Sequence, residues 1–160
     1  MIEKLYNTDI ELGLRCLFIL NEAYPRNYSL ERLLYVDYLS LYIEDFTHDA
    51  VNLHPKYPFQ LIEIFERKQL IKTSLSVLAL KGLVDVENDK GLSFRANGNT
   101  SWLLADIQNN YSRHLKENIR FVIDGTEHKS DDELKKMIFV QQEDDNTEFS
   151  GFYPYNEEIW

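Results

Sequence analysis

The chain has 160 residues, 44% of them apolar, with 10 Tyr, 9 Phe and 2 Trp; that is enough for one buried core plus an appendage, with aromatic side chains left over for a contact surface. Its net charge of −10 is uneven: residues 1–126 hold 17 acids and 14 bases, a net of −3, and residues 127–160 hold 10 acids and 3 bases, a net of −7. Neither part has the strongly basic balance of an autonomous DNA binder, and the lone Cys16 excludes a disulfide within the chain.

Met1-Ile-Glu-Lys-Leu-Tyr-Asn7 does not read as a signal peptide, and no apolar run approaches the ~20 residues that span a bilayer. A reducing, cytoplasmic setting is the expectation. Thr8-Asp-Ile-Glu11 is a capping box that opens a helix running to about Ala23. Ile10, Leu14, Leu17 and Phe18 share one face and Leu12, Cys16 and Ile19 another, so this helix is buried on two sides. Pro25 ends it, and Cys16 reads as a small core residue.

Ser29 caps a second helix over 30–45, with Leu30, Leu33, Leu34 and Leu41 on one stripe and Tyr35, Tyr38, Leu39 and Tyr42 on the other. Asp37 sits among the first set. A carboxylate there needs a partner, since burial alone is costly; a tyrosine or loop amide and an intersubunit pair are the alternatives. Residues 46–58, with two prolines, form an extended loop.

A long helix follows over 59–81, with a break admitted near Lys68-Gln69, and Gly82 suits its left-handed cap. Val84 and Val86 alternate with Asp85 and Glu87; Leu92, Phe94 and Ala96 alternate with Ser93 and Arg95. Asn-Asp-Lys-Gly91 turns between them, with Gly91 at positive φ. Helix, glycine stop, strand, turn and strand form the back half of a winged helix. Asn99 or Thr100 caps a further helix over 101–123, stopped at Asp124-Gly125, and Ser130-Asp-Asp-Glu133 is a capping box for a short helix over 131–141. After Gln142 the chain is acidic, aromatic and aperiodic, the composition of a flexible tail. The expected fold is mainly α: a winged-helix core with a C-terminal helical extension and an acidic flexible tail, divided 1–126, 127–142 and 143–160.

No catalytic constellation or glycine-rich phosphate loop is present, so the chain reads as a non-enzyme without a cofactor. Asp45, His48, Asp49 and His54 lie within ten residues, but without the spacing of a metal motif; a solvated loop is the plainer reading. His114 and His128 have no nucleophile beside them in sequence. Arg67, Lys68, Lys72, Lys81, Lys90 and Arg95 are where a winged helix would meet DNA phosphates. Glu63, Glu66, Asp85, Glu87 and Asp89 interleave with them and cancel most of the attracting field. Protein contact is favoured instead. Tyr35, Asp37, Tyr38, Tyr42 and His54 are its candidates on the body, unless the C-terminal helices cover those faces; Phe149, Phe152, Tyr153, Tyr155 and Trp160 are its candidates on the tail.

Four segments carry a family resemblance: Glu11-Leu-Gly-Leu-Arg-Cys-Leu-Phe-Ile-Leu-Asn-Glu-Ala-Tyr-Pro-Arg26, Leu33-Leu-Tyr-Val-Asp-Tyr38, Leu53-His-Pro55, and the arginine-bearing helix ending Lys81-Gly-Leu-Val84. In this order they resemble the middle component of bacterial ABC three-component defence systems, which include the Lamassu-type anti-phage and anti-plasmid systems. The resemblance covers residues 9–123 and excludes the acidic tail. It implies a non-enzymatic scaffold that bridges an SMC-like coiled-coil ATPase and a nuclease effector and restrains the effector until foreign DNA is sensed. DNA would then be met indirectly, within the complex. Asp37 and His54 lie in the matching segments. The alternative is a winged-helix transcriptional regulator that binds a defined duplex alone.

Overall fold

The computed structural model describes residues 8–55 and 60–145. Six α-helices and a three-stranded antiparallel sheet are found among them: α1 Asp9–Ala23, β1 Tyr28–Ser29, α2 Leu30–Leu41, α3 Gln60–Leu80, β2 Val84–Asn88, β3 Leu92–Ala96, α4 Gly98–Ala105, α5 Asn110–Thr126 and α6 Asp131–Asp145. A short 3-10 turn, Ile43–Asp45, follows α2. The sheet order is β1-β3-β2, with Tyr28 opposite Phe94 and Val86 opposite Phe94 from the other side. Three helices with a short strand after the first, closed by a β-hairpin, make the winged-helix arrangement; α3 is the helix that such folds offer to DNA.

Local chemistry explains the boundaries. Thr8 accepts the Glu11 N–H at 3.2 Å and starts α1. The reciprocal half of the expected box is replaced: the Glu11 carboxylate turns to Arg15. Ser29 accepts the Arg32 N–H and starts α2. Gly82 and Gly91 take φ of +71° and +98°, the left-handed conformations that end α3 and turn the hairpin.

Four expectations are corrected. The second helix stops at Leu41, because the chain tightens into the 3-10 turn. α3 runs unbroken through Lys68 and Gln69. The helix expected over 101–123 is two helices, since Asn97 caps α4 with Thr100, and Asn109 caps α5 with Ser112, each in a reciprocal box. The last helix continues to Asp145, through the start of the segment expected to be tail. The wing also gains a third strand, Tyr28–Ser29, too short to show a period.

One core joins all six helices. Leu12, Leu17, Leu20, Leu33, Leu34 and Leu41 are fully buried at its centre, and Leu115, Ile119, Leu134 and Ile138 reach it from α5 and α6. Those two helices pack on α2, so the C-terminal helices cover its second face. α6 is fastened there: Arg32 pairs with Asp131 at 2.8 Å and donates to the Thr126 and Lys129 carbonyls, and Ser29 Oγ donates to Asp131 at 2.9 Å. Cys16 is buried, and burial raises its thiol pKa far above the ordinary value. Among the described residues no helix is long and apolar enough to cross a membrane.

Candidate functional site

Two arginines and one aspartate, each about 1% exposed, lie in the middle of that core. Arg15 from α1 grips Asp37 from α2 with both arms of its fork: Nε donates to Oδ1 at 2.6 Å and Nη2 to Oδ2 at 3.2 Å. Arg67 from α3 donates Nη1 to the same Oδ2 at 3.2 Å and Nη2 to Glu63. The Tyr42 hydroxyl donates to both Glu63 oxygens, at 3.1 and 2.9 Å. Arg67 also stands over the rings of Tyr38 and Tyr42, 6.0 and 5.9 Å from their centroids. Its Nε has no hydrogen-bond partner among the described residues.

The other end of the network reaches toward solvent. Arg15 Nη1 lies 3.3 Å from Glu11, and Glu11 lies 3.7 Å from Nε2 of the buried His54. His54 Nε2 is 3.1 Å from the Tyr111 hydroxyl on α5. The network therefore joins α1, α2, α3, α5 and the 46–55 loop.

Its electrostatics follow from the packing. Burial pushes the Asp37 carboxyl up, but the Arg15 and Arg67 guanidiniums more than reverse this and hold it below the ordinary carboxylate value. Burial favours deprotonating Arg15 and Asp37 opposes it more strongly, so Arg15 stays charged. His54 is held down to about 4, by burial first and then by the nearby Arg15. It is neutral at pH 7. Burial raises the Glu11 carboxyl against the pull of Arg15, and pushes the Tyr111 hydroxyl up to about 12.

The sequence candidates fall into three groups. Tyr35, Asp37, Tyr38, Tyr42 and His54 are all buried, in positions that hold the core together rather than on an open face. Asp37 is partnered by two arginines of its own chain, in place of either alternative weighed for it. Phe149, Phe152, Tyr153, Tyr155 and Trp160 lie outside the described residues. Three of the six bases expected to meet phosphate have carboxylate partners within the chain. Arg67 is buried in the network, which removes it from any DNA-facing surface. Lys68 lies 3.4 Å from Glu31, and Arg95 lies 3.7 and 3.5 Å from Asp85 and Glu87. Lys72, Lys81 and Lys90 are exposed. His54 turns inward, while His48 and Asp49 are exposed; among the described residues no group of three or more His, Cys, Asp or Glu is placed to hold a metal.

Sequence reasoning missed Arg15, Glu11, Glu63 and Tyr111. One signal was available: Arg15 interrupts a helix that is apolar on two faces, and such a charge requires a buried partner. The outer face of α3 was also missed. Ile62, Phe65, Val77 and Leu80 are exposed on it, Leu80 at 89%, beside Glu66, Gln69, Thr73 and Ser76. A helix that meets phosphates and base edges carries bases and amides there; this one is apolar at both ends, with Glu66, Gln69, Thr73 and Ser76 between.

Residues 5–146 match the family model described as ABC-three component (ABC-3C) system Middle Component 2. No curated protein and no solved structure matches the chain.

Proposed function

The chain belongs to the Middle Component 2 family of ABC-three component systems, and on that premise we propose that it is a non-enzymatic scaffold of a defence complex. It bridges an SMC-like coiled-coil ATPase and a nuclease effector, and restrains the effector until foreign DNA engages the ATPase. The partners and the restraint come from the family resemblance. What this molecule adds is the surface through which it works.

The outer face of α3 carries the reading. In a winged helix this is the face that would enter a DNA groove. Here it presents Ile62, Phe65, Val77 and Leu80, while Arg67 is spent inside the core on Asp37 and Glu63. Exposed apolar side chains at both ends of one helix face suit a protein partner. The buried ion network serves this role by fixing α1, α2 and α3 in one arrangement, so that the face is presented rigidly. Whether buried ion pairs add net stability varies, and in some proteins they restrict which packing is tolerated.

Co-expression with the neighbouring genes, followed by affinity capture of the tagged chain, tests the proposal. The expected result is a stoichiometric complex with the ATPase and effector, lost in Ile62→Glu/Leu80→Glu. Recovery of the chain by itself, together with tight binding of the isolated protein to a defined duplex, would replace the scaffold with a regulator.

A further inference from the structure

We infer that the outer face of α3 pairs with the same face of a second copy of this chain, the two helices running antiparallel. The spacing of the exposed residues selects this occupant. Ile62, Gln69, Thr73 and Leu80 are exposed and fall on one line along the helix, since separations of 7, 11 and 18 positions are close to two, three and five turns. Phe65 and Val77 are exposed on either side of that line. Ile62 with Leu80, Phe65 with Val77, and Gln69 with Thr73 all share one midpoint, Ile71. A surface patterned in this way is complementary to itself under a twofold rotation. An antiparallel copy centred there sets each Ile62 against the other copy's Leu80, and gathers Ile62, Phe65, Val77 and Leu80 into one apolar cluster at each end. Between the clusters Gln69 meets Thr73, an amide against a hydroxyl, and no charge lies on the line of contact.

The area available decides how tightly the copies hold. Ile62 to Leu80 spans about 27 Å of helix, and a stripe ~10 Å wide over that length offers ~300 Å² per copy. Ile10 adds to its rim: Ser74 Oγ donates to the Asp9 carbonyl at 2.8 Å, which brings the next residue, the exposed Ile10, alongside α3. The sum stays below the ~800 Å² per partner of a stable complex. The pair is therefore transient, dissociated in dilute solution and formed when the chain is concentrated. With this face read as the partner surface proposed above, the second copy and the partner compete for it. A weak self-contact covers the apolar ends of the face while the subunit is free, and yields to a larger interface on assembly.

Sedimentation equilibrium of the full-length chain from ~10 µM to ~1 mM measures the pairing. The weight-average mass should start near the 19.0 kDa of one chain and rise by half or more. Ile62→Glu/Leu80→Glu, confirmed as folded by circular dichroism, should keep the single-chain mass throughout. Copper-phenanthroline oxidation reports the direction of the helices. Ile62→Cys/Leu80→Cys should form covalent dimers several-fold faster than Ile62→Cys alone, while the buried Cys16 stays out of reach. A chain that is monomeric at every concentration overturns the inference. So does a dimer that survives Ile62→Glu/Leu80→Glu, because the contact then lies elsewhere, and so does equal cross-linking by Ile62→Cys alone, because the helices then run parallel. These measurements involve no partner, so they stand or fall separately from the capture experiment: a dimer lost in the double variant with no captured partner removes the scaffold reading alone, and a captured partner with a monomeric free chain removes the pairing alone.

Discussion

Arg15 holds both carboxylate oxygens of Asp37, at 2.6 and 3.2 Å, between two helices and across 22 positions of chain. Both side chains are almost wholly removed from water. A fork-to-carboxylate contact of this kind fixes direction as well as distance, so α1 and α2 are set in angle by it. Arg67 takes one of the same oxygens and brings α3 into the same arrangement.

Removing the shared carboxylate should therefore cost more than removing an apolar side chain of similar size. Asp37→Ala leaves two buried guanidiniums without their common partner, and a loss of about 3–5 kcal/mol is expected in urea unfolding. The triple replacement Arg15→Met, Asp37→Leu, Arg67→Met removes all three charges together and should recover most of that loss. An Asp37→Ala protein as stable as the parent would show that the network contributes little.

Stability should fall on mild acidification because of His54. Its folded value of about 4 lies below its ordinary 6.5, so the unfolded chain takes up the proton first. The contribution is complete above pH 6.5, declines as pH falls from 6.5 toward 4, and amounts to about 3 kcal/mol at most. Glu11, whose carboxyl is raised, opposes part of this decline just above its ordinary 4.5. Asp37, whose carboxyl is lowered, adds a further loss below its ordinary 3.8. Thermal melts between pH 7 and pH 4 should show the slope, and His54→Gln should flatten it.

The isolated chain should bind duplex DNA weakly, with no sequence preference. Lys72→Glu/Lys90→Glu should change that binding little at physiological salt. Arg67→Ala should lower stability without revealing a specific DNA defect, since the side chain is enclosed. Fluorescence anisotropy over a salt series measures all three proteins; a steep salt dependence with nanomolar affinity for one sequence would contradict this account.

Leu80→Glu should alter the unfolding free energy by no more than ~0.5 kcal/mol, because the side chain is 89% exposed. Together with Ile62→Glu it should remove the chain from the captured complex. Loss of capture with an unchanged melting curve distinguishes an interface from a folding defect.

Much of the fold is written in short-range signals. Thr8, Ser29, Gly82, Gly91 and Ser130 mark element ends through bonds that reach only three or four residues or through a single φ. The break between α4 and α5 escaped because Leu104, Ile107, Tyr111 and Leu115 keep a helical period across it. The Asn109–Ser112 box that interrupts them competes at close range. The buried network was legible at one end only. Asp37 announced a need for a partner, but a partner 22 or 30 positions away is chosen by helix packing, which no local pattern records. Arg67 was misassigned for the same reason: a base on the third helix of a winged helix reads as a phosphate contact until the helix's rotation about its axis is known.

The Arg32 clasp has a consequence during synthesis. Its partners, Thr126, Lys129 and Asp131, are made some hundred residues after it, and Leu134 and Ile138 later still. A nascent chain thus emerges with α1 and α2 complete but one side of each still open to water, and closing so long a loop is slow. Copies whose C-terminal helices are not yet made leave these apolar faces bare, and would be at greatest risk of clumping at that stage.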